Sequence, residues 1–415
     1  MKMKTLSDFK FKDKKVLLRT DINSDVIKGR VLFSERIKEA AKTIIELKRK
    51  KAKVIVIAHQ GNPGKDDFLS LRQHAKFLNK FVKISYVPDV VGEKAIKSIK
   101  RLKPGEAILL DNLRFLEEEQ DISKKPNRIL KLAELSDIYI NDAFSVCHRK
   151  HGSIVLLPKI MKKKCAGLLL EKEISALKKI SIPDCLYLLG GAKPEENIKL
   201  LKGKKVLAGG LFGQVCLISL GKNLGYQNNF LKKATLIEGD FNDFLGKLRN
   251  KLANVRKVNC TLQGTDSCSQ LSFSEHPKNL EGFSDVETPI DFAVDKNGER
   301  CELSLEDFPS EYEIEDIGAL TLKKYIEIIK KAKAIFMKGP FGNTSIKKYA
   351  KGTIEILKTI SKSNAFSLIG GGHLSDAIKM SGINPKKFSH ISLSGGALLN
   401  YVAGEKLPGL EALGI

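Results

Sequence analysis

The sequence predicts an α/β protein built from two doubly wound, Rossmann-like parallel-sheet domains, and three observations carry that prediction. Strand-length apolar runs are continuous rather than alternating, which is the pattern of strands buried on both faces of a parallel sheet. Stretches of helical periodicity separate these runs, giving the strand–helix–strand order of right-handed βαβ units. At 415 residues the chain is too long for one core, and its punctuation changes midway. Runs in the first half end in charged and polar residues, and those in the second half end in glycines.

In the first half the strand candidates are VLLRTDI (16–22), VIVIAHQ (54–60), AILLDNL (107–113) and IYINDAF (138–144). Between the first two, Ile37, Ala40, Ala41, Ile44 and Leu47 recur at helical spacing, with Ser34 placed as the N-cap. In the second half the candidates are CLYLLGGA (185–192), KKVLAGGL (204–211), AIFMKGPFG (334–342), AFSLIGGG (365–372) and HISLSGG (390–396). AGLLLEKEISALKKI (166–180) reads as a helix between the halves. The segment 228–288 is polar and poorly periodic, and a folded excursion or a long loop both fit it.

Composition narrows the function class. No apolar run approaches the roughly 20 residues needed to span a bilayer. The charged start MKMKTLSDFKFKDKK lacks a signal-peptide core, so a cytoplasmic protein without membrane contact is expected. The seven cysteines (147, 165, 185, 216, 260, 268 and 301) form no C-x-x-C pair and read as reduced packing residues. No protein-held metal is expected. Lys plus Arg number 72 against 48 Asp plus Glu, a net charge of +24. The excess is spread along the chain and forms no basic tail or aromatic stripe. It therefore suits solvated faces and attraction of an anionic substrate better than nucleic acid.

Polar residues of the first half gather at the carboxyl ends of its strands, the edge where open α/β sheets bind ligands. Asp21 and Asn23 follow the first strand, His59 the second, Arg114 the third, and Asp142, His148 and Arg149 the last, while Arg36 opens the first helix. One such arginine alone more often caps a helix or pairs with a surface acid. As a set, Arg36, His59, Arg114 and Arg149 suit a small polyanion, because the guanidinium fork matches carboxylate and phosphate. In the second half, one Gly-Gly pair would be only a turn. Five glycine clusters after five strands point to backbone amides approaching phosphates. Neither G-x-x-x-x-G-K-[ST] nor a helix-opening G-x-G-x-x-G is present, so a P-loop enzyme and a dinucleotide oxidoreductase are both excluded.

The motifs TDINSD (20–25), SERIKEA (34–40), AHQGNPG (58–64), DNLRF (111–115) and NDAFSVCHR (141–149) resemble the glycerate-binding motifs of phosphoglycerate kinases, in wording close to the archaeal branch. LGGAKPEENI (189–198), LAGGL (207–211), KGPFG (338–342), AFSLIGGGH (365–373) and FSHISLSGGALL (388–399) resemble that family's nucleotide motifs, in the same order. The resemblance implies domains at 1–162 and 163–402, joined by a hinge helix. A tail, 403–415, would pack back on the first domain. It implies that Asp21, Asn23, Arg36, His59, Asn62, Arg114 and Arg149 hold 3-phosphoglycerate. Arg36, Lys193, Gly371, Gly372 and Gly395 would act on the transferring phosphoryl group. Gly190, Gly191, Gly339, Pro340, Ser345, Gly370 and His373, with Lys193, Gly371 and Gly372, would hold ATP or ADP, whose phosphates carry Mg2+. A monomer is the family's expectation.

Departures from the family pattern are also legible. Asn62 stands where the family's His-x-Gly-Arg-Pro has arginine, with Arg72 or Lys65 as candidate substitutes. Ser345 stands where a glutamate grips the nucleotide ribose, Lys338 replaces the asparagine of N-G-P, and Asn197 replaces a second lysine. The implied reaction is in-line transfer between 1,3-bisphosphoglycerate and magnesium-ADP, which needs positioning and charge neutralisation but no general base. Closure of the halves is expected, with hinges in helix 166–180 and near Thr353 and Ser392. Two rivals stand beside this reading: a binding protein of the same fold without turnover, and a kinase using a different nucleotide.

Overall fold

A computed structural model describes residues 3–182, 184–201, 204–233, 240–263 and 285–415, with the side chains of 253–263 excepted. The chain divides into two compact units, Met1–Ser175 with Leu393–Ile415, and Ala176–Ser392. The helix Leu168–Ile180 runs across the division.

The first unit contains β1 (Lys15–Thr20), β2 (Val26–Ile27), β3 (Arg30–Val31), β4 (Lys53–Ile57), β5 (Ser85–Tyr86), β6 (Ala107–Leu109), β7 (Ile138–Asp142) and β8 (Lys164–Ala166). Six of these form a sheet in the order β5-β6-β4-β1-β7-β8, parallel throughout, while β2 and β3 make a small hairpin. Continuous apolar runs make sense here because successive side chains enter different cores. Val16, Leu18, Val54 and Val56 pack with the helix Glu35–Arg49, and Leu17, Ile55, Ile57 and Tyr139 pack on the opposite face. The chain builds outward from β1 through β4 and then returns to β7 on the other side. Strand order therefore reverses between β1 and β7, and the crevice beyond their carboxyl ends is the ligand position of such sheets.

The C-terminal helix Pro408–Leu413 belongs to this unit and packs on the helix Gly152–Ile160. Gly409 donates its amide to the Cys147 carbonyl at 2.9 Å, and a Cβ there would lie 2.7 Å from Ile154. The tail thus returns to the first sheet.

The second unit contains β9 (Cys185–Leu189), β10 (Lys205–Ala208), β11 (Asp285–Glu287), β12 (Asp291–Lys296), β13 (Glu299–Ser304), β14 (Glu313–Ile317), β15 (Ala334–Lys338), β16 (Phe366–Gly370) and β17 (His390–Ser392). Its main sheet is again parallel, in the order β11-β10-β9-β15-β16-β17. Order reverses between β9 and β15. A separate antiparallel sheet, β13-β12-β14, is an addition that the sequence reading did not contain. The ambiguous 228–288 stretch takes in most of the helix Tyr226–Lys233, then the helix Phe241–Gln263 and β11; its parts 234–239 and 264–284 lie outside the described residues.

Ser34 occupies the N-cap position of Glu35–Arg49 with extended backbone, but its hydroxyl makes no capping bond. It lies 2.8 Å from the Ser24 hydroxyl instead, which ties the helix start to the loop after β1. Cys147, Cys165, Cys185 and Cys216 are buried free thiols and Cys301 is half-buried. Cys260 and Cys268 lie outside the described side chains. No helix among the described residues is long and apolar enough to cross a membrane.

Candidate functional site

The first unit gathers a basic cluster around the ends of β1, β4 and β7. Asp21, just past β1, is buried and acts as its organising anion. Arg36 Nη1 lies 3.2 Å from its Oδ2, the Asn23 amide donates to Oδ1 at 2.9 Å, and the Ser145 hydroxyl donates to Oδ2. Burial alone would raise the Asp21 pKa. The charges of Arg36 and Arg19, with the bonds from Ser145 and Asn23, outweigh it and hold the carboxyl below its usual range. Arg36 is held further by the carbonyls of Asn23 at 3.4 Å and Leu393 at 2.9 Å. Asn23 itself accepts the Gly61 amide at 2.9 Å, so it ties the loop after β1 to the loop after β4.

His59 is buried and receives a bond at Nδ1 from Arg19 Nη2, 3.1 Å away, which leaves Nε2 as the ring donor. Burial first, and then the charges of Arg19, Arg114, His151 and Arg149, push its pKa well below the ordinary histidine value. It is therefore neutral at physiological pH. Beneath it, fully buried Arg19 donates through Nε to the Ser153 hydroxyl at 2.9 Å. Ser153 in turn donates its hydroxyl and amide to Glu119 at 2.6 and 2.7 Å. Burial raises the Glu119 pKa, opposed chiefly by Arg19. Sequence reading missed this supporting layer of Arg19, Glu119 and Ser153, along with His151. Nothing local marks such residues, because the partners of Arg19 lie 40 and 134 positions away in the chain.

Arg114 is the most informative member. Its residue is only 4% exposed, yet Nε and Nη2 have no hydrogen-bond partner among the described residues. Nη1 donates to Asn62 Oδ1 at 2.8 Å and to the Gly61 carbonyl. Burial, followed by Arg149 and Arg19, lowers the Arg114 pKa to about 10, so the side chain stays cationic at neutral pH. Asn62 thus orients Arg114. Arg149 is exposed and lies beside His148, with Nε 3.4 Å from His148 Nε2. A buried guanidinium with two unspent donors, next to further cations and a neutral imidazole donor, is arranged to accept a small polyanion.

Gly395 and Gly396, read with the nucleotide half, fall in the first unit. A Cβ on Gly396 would sit 3.2 Å from His148 Nε2, and one on Gly395 would meet nothing. Asp142, at the end of β7, accepts the Leu169 and Leu170 amides at 2.8 and 3.2 Å and so caps the helix Leu168–Ile180.

The second unit shows that its glycines serve two purposes. A Cβ on Gly190 would lie 2.4 Å from the Pro340 carbonyl oxygen, and one on Gly339 would lie 2.5 Å from that of Gly190. The Gly191 amide donates to Pro340 at 2.7 Å. These glycines let the loops after β9 and β15 press together, backbone on backbone. Gly371 and Gly372, after Gly370 at the end of β16, differ: a Cβ on either would meet nothing within 4 Å among the described residues. Gly371 has φ of 111°, a conformation that glycine alone adopts readily, and it caps the helix Gly372–Ser381. Open space over helix-start amides is what a phosphate requires.

Lys193 follows β9 with its side chain 74% exposed, 3.6 Å from Glu196. Lys338 ends β15 and bonds Asn197 and Glu196, contacts the sequence did not disclose. His373 is exposed in the first turn of its helix. Ser345 is exposed too, and its amide donates to Asn343 Oδ1 at 3.1 Å. Asn343 donates to the Glu315 carboxylate at 2.9 Å, so a half-buried acid from β14 stands beside the 343–345 loop. Among the described residues, no group of three or more His, Cys, Asp and Glu side chains could hold a metal ion.

Two parallel α/β sheets, one rimmed by arginines and the other by glycines and lysines, define a two-substrate phosphotransferase. The chain belongs to the phosphoglycerate kinase family, whose sequence profile matches residues 6–405. It is 35% identical to the phosphoglycerate kinase of Methanopyrus kandleri, over 99% of this chain and 97% of that one. Identity to the Thermococcus sibiricus phosphoglycerate kinase is 37%, covering 99% and 96%. The crystal structure of phosphoglycerate kinase from Pyrococcus horikoshii superposes with a TM-score of 0.83 at 34% identity, covering 99% and 98%. The structure of phosphoglycerate kinase from Coxiella burnetii gives 0.77 at 26% identity, covering 100% and 99%.

Proposed function

We propose that this chain catalyses reversible phosphoryl transfer between 1,3-bisphosphoglycerate and magnesium-ADP, giving 3-phosphoglycerate and ATP. The observation that carries the reading is Arg114, a buried cation with two unspent donors inside a basic cluster. Asp21, Asn23, Arg36, His59, Arg114 and Arg149 hold the glycerate ligand, with Asn62 orienting Arg114. Lys193 and the amides around Gly371 and Gly372 take the nucleotide's phosphates, and the Gly190, Gly191, Gly339 and Pro340 loops border its base and ribose. Mg2+ enters with the nucleotide. The first unit with its tail serves as the glycerate domain and the second as the nucleotide domain. The attacking phosphate oxygen is already anionic, and the bridging oxygen of the acyl phosphate takes the O–P bonding pair and leaves as a carboxylate, so neither needs a proton moved. Catalysis is then alignment plus charge neutralisation, with Arg36 and Lys193 countering charge on the moving phosphoryl group.

The test is a coupled assay of 3-phosphoglycerate phosphorylation with magnesium-ATP, run beside Lys193→Ala. Turnover of about 10 s⁻¹ or more, lost in the variant, supports the assignment. Absence of turnover with retained 3-phosphoglycerate binding refutes it in favour of a binding protein. A second reading, a kinase with altered nucleotide preference, draws on Ser345 in the ribose-gripping position and on the acidic Glu315–Asn343 pair beside it. A donor panel of ATP, GTP and pyrophosphate decides between them. We take the enzyme to be a cytoplasmic monomer, for which size-exclusion chromatography should return the 46.0 kDa chain mass.

A further inference from the structure

Lys338 is the last residue of β15 and stands in register with Leu189 at the end of β9. These two strands flank the reversal of strand order in the second sheet, where open α/β sheets hold ligands. The Lys338 side chain is only 12% exposed. Its ammonium donates to Asn197 Oδ1 at 2.8 Å and lies 2.9 Å from Glu196 Oε2. Asn197 donates onward to the Gly190 carbonyl at 2.9 Å, which fixes the group against the glycine loops. Glu196, with its side chain 36% exposed, also lies 3.6 Å from Lys193. One carboxylate therefore stands between two lysines at the reversal point.

A buried ammonium is costly unless an anion pairs with it. Burial lowers the Lys338 pKa, and the bond and charge of Glu196 oppose that shift. Asn197 is neutral, so among the described residues Glu196 is the anion that keeps Lys338 charged. A carboxylate offers the same kind of acceptor oxygens as a phosphate, but carries less charge than a nucleotide's phosphate chain.

We propose that Lys338 contacts the phosphates of the bound nucleotide and that Glu196 is its stand-in anion, displaced when they arrive. This rests on the nucleotide reading of the domain given above. Lys338 is a preset cation at the strand end, and Lys193 is a solvent-exposed one on the rim. Glu196 holds both in the free enzyme and competes with the ligand for them. A plain structural ion pair, stapling the segment Pro194–Ile198 to β15, predicts no such competition.

The two ideas differ in sign for one variant. Isothermal titration of the full chain with ADP, and with pyrophosphate as the base-free probe, should show Lys338→Met weakening ADP by about 10- to 100-fold, the loss of one charged hydrogen bond. Glu196→Gln keeps both lysines and removes their competitor, so both ligands should bind roughly 3- to 10-fold more tightly. If Lys338→Met fails to fold, Glu196→Gln alone decides. Wild-type ADP binding matched by both variants within about twofold, or weaker binding in Glu196→Gln, overturns the proposal while leaving the nucleotide reading intact. A wild type that binds 3-phosphoglycerate but neither ADP nor pyrophosphate overturns the nucleotide reading, and this inference with it.

Discussion

Arg114→Met separates a binding residue from a structural one. In the free protein the guanidinium is buried, with Nε and Nη2 unbonded among the described residues, while Nη1 serves Gly61 and Asn62. Each unsatisfied buried donor costs about 1–3 kcal/mol, and each bond from a charged donor contributes about 1.5–3 kcal/mol. Removing the group deletes both kinds of contribution, and they nearly cancel. Methionine, similar in length and flexible, fills the space. Unfolding free energy in urea should therefore change by no more than about 1–2 kcal/mol. Substrate recognition has no such cancellation. Two charged bonds to 3-phosphoglycerate are worth about 3–6 kcal/mol, so kcat/KM should fall by roughly 10²- to 10⁴-fold. A stability loss above about 3 kcal/mol with unchanged kcat/KM would refute the reasoning, because it would make Arg114 a buried strut.

Asn62→Ala frees Arg114 Nη1 from one of its two acceptors and should raise the KM for 3-phosphoglycerate about 3- to 10-fold at unchanged Tm. Gly190→Ala sets a Cβ 2.4 Å from the Pro340 oxygen and should destabilise the protein by about 1–3 kcal/mol in a urea titration. Gly372→Ala meets no atom and should hold or slightly raise stability while weakening ADP binding in the same preparation. His74 is fully buried, with Nε2 3.0 Å from Gln60 and a pKa lowered by burial to about 4. The unfolded chain takes up that proton near pH 6.5, so the stabilisation is complete above 6.5 and is lost as pH falls toward 4. Between pH 7 and 4, wild type should lose about 3 kcal/mol more than His74→Gln, as read by urea denaturation at each pH.

The nine strand-length apolar runs announced the sheet cores because a strand buried on both faces carries few polar residues to disguise it. Two of the edge strands, β5 and β11, escaped notice for the opposite reason. Ser85–Tyr86 and Asp285–Glu287 are two and three residues long and carry no buried run. The antiparallel sheet was hidden by buried polar groups that read as surface. Asp291, only 3% exposed, begins β12, accepts the Leu320 and Thr321 amides, and so caps the helix Ala319–Lys331. In the candidate site, residue types were legible and their duties were not. Asn23, taken as a ligand contact, also joins two loops; Asp142, seen at a strand end, caps a helix. The glycine clusters showed the same limit. A sequence cannot tell Gly190, which is closed over by Pro340, from Gly372, which faces open space.

The two rims also differ in how far their cations are buried and bonded, and the proposed chemistry gives a reason. Arg114 is buried and bonded through Nη1 to Asn62 and the Gly61 carbonyl. Lys193 sits on a four-carbon stem with most of its side chain in solvent and its ammonium 3.6 Å from Glu196. In an in-line transfer the glycerate carboxylate stays in place while the phosphoryl group travels. Donors fixed in advance suit the stationary partner, because they bind it without further ordering of the protein. A compact charge on a flexible stem suits the moving group, because it can follow charge that shifts during the reaction, which a fixed planar fork cannot do. On the proposed roles, Arg114 on one rim and Lys193 on the other divide the labour according to which atom moves. Exchanging the two residue types should cost more in turnover than in binding at Lys193, and more in binding than in turnover at Arg114.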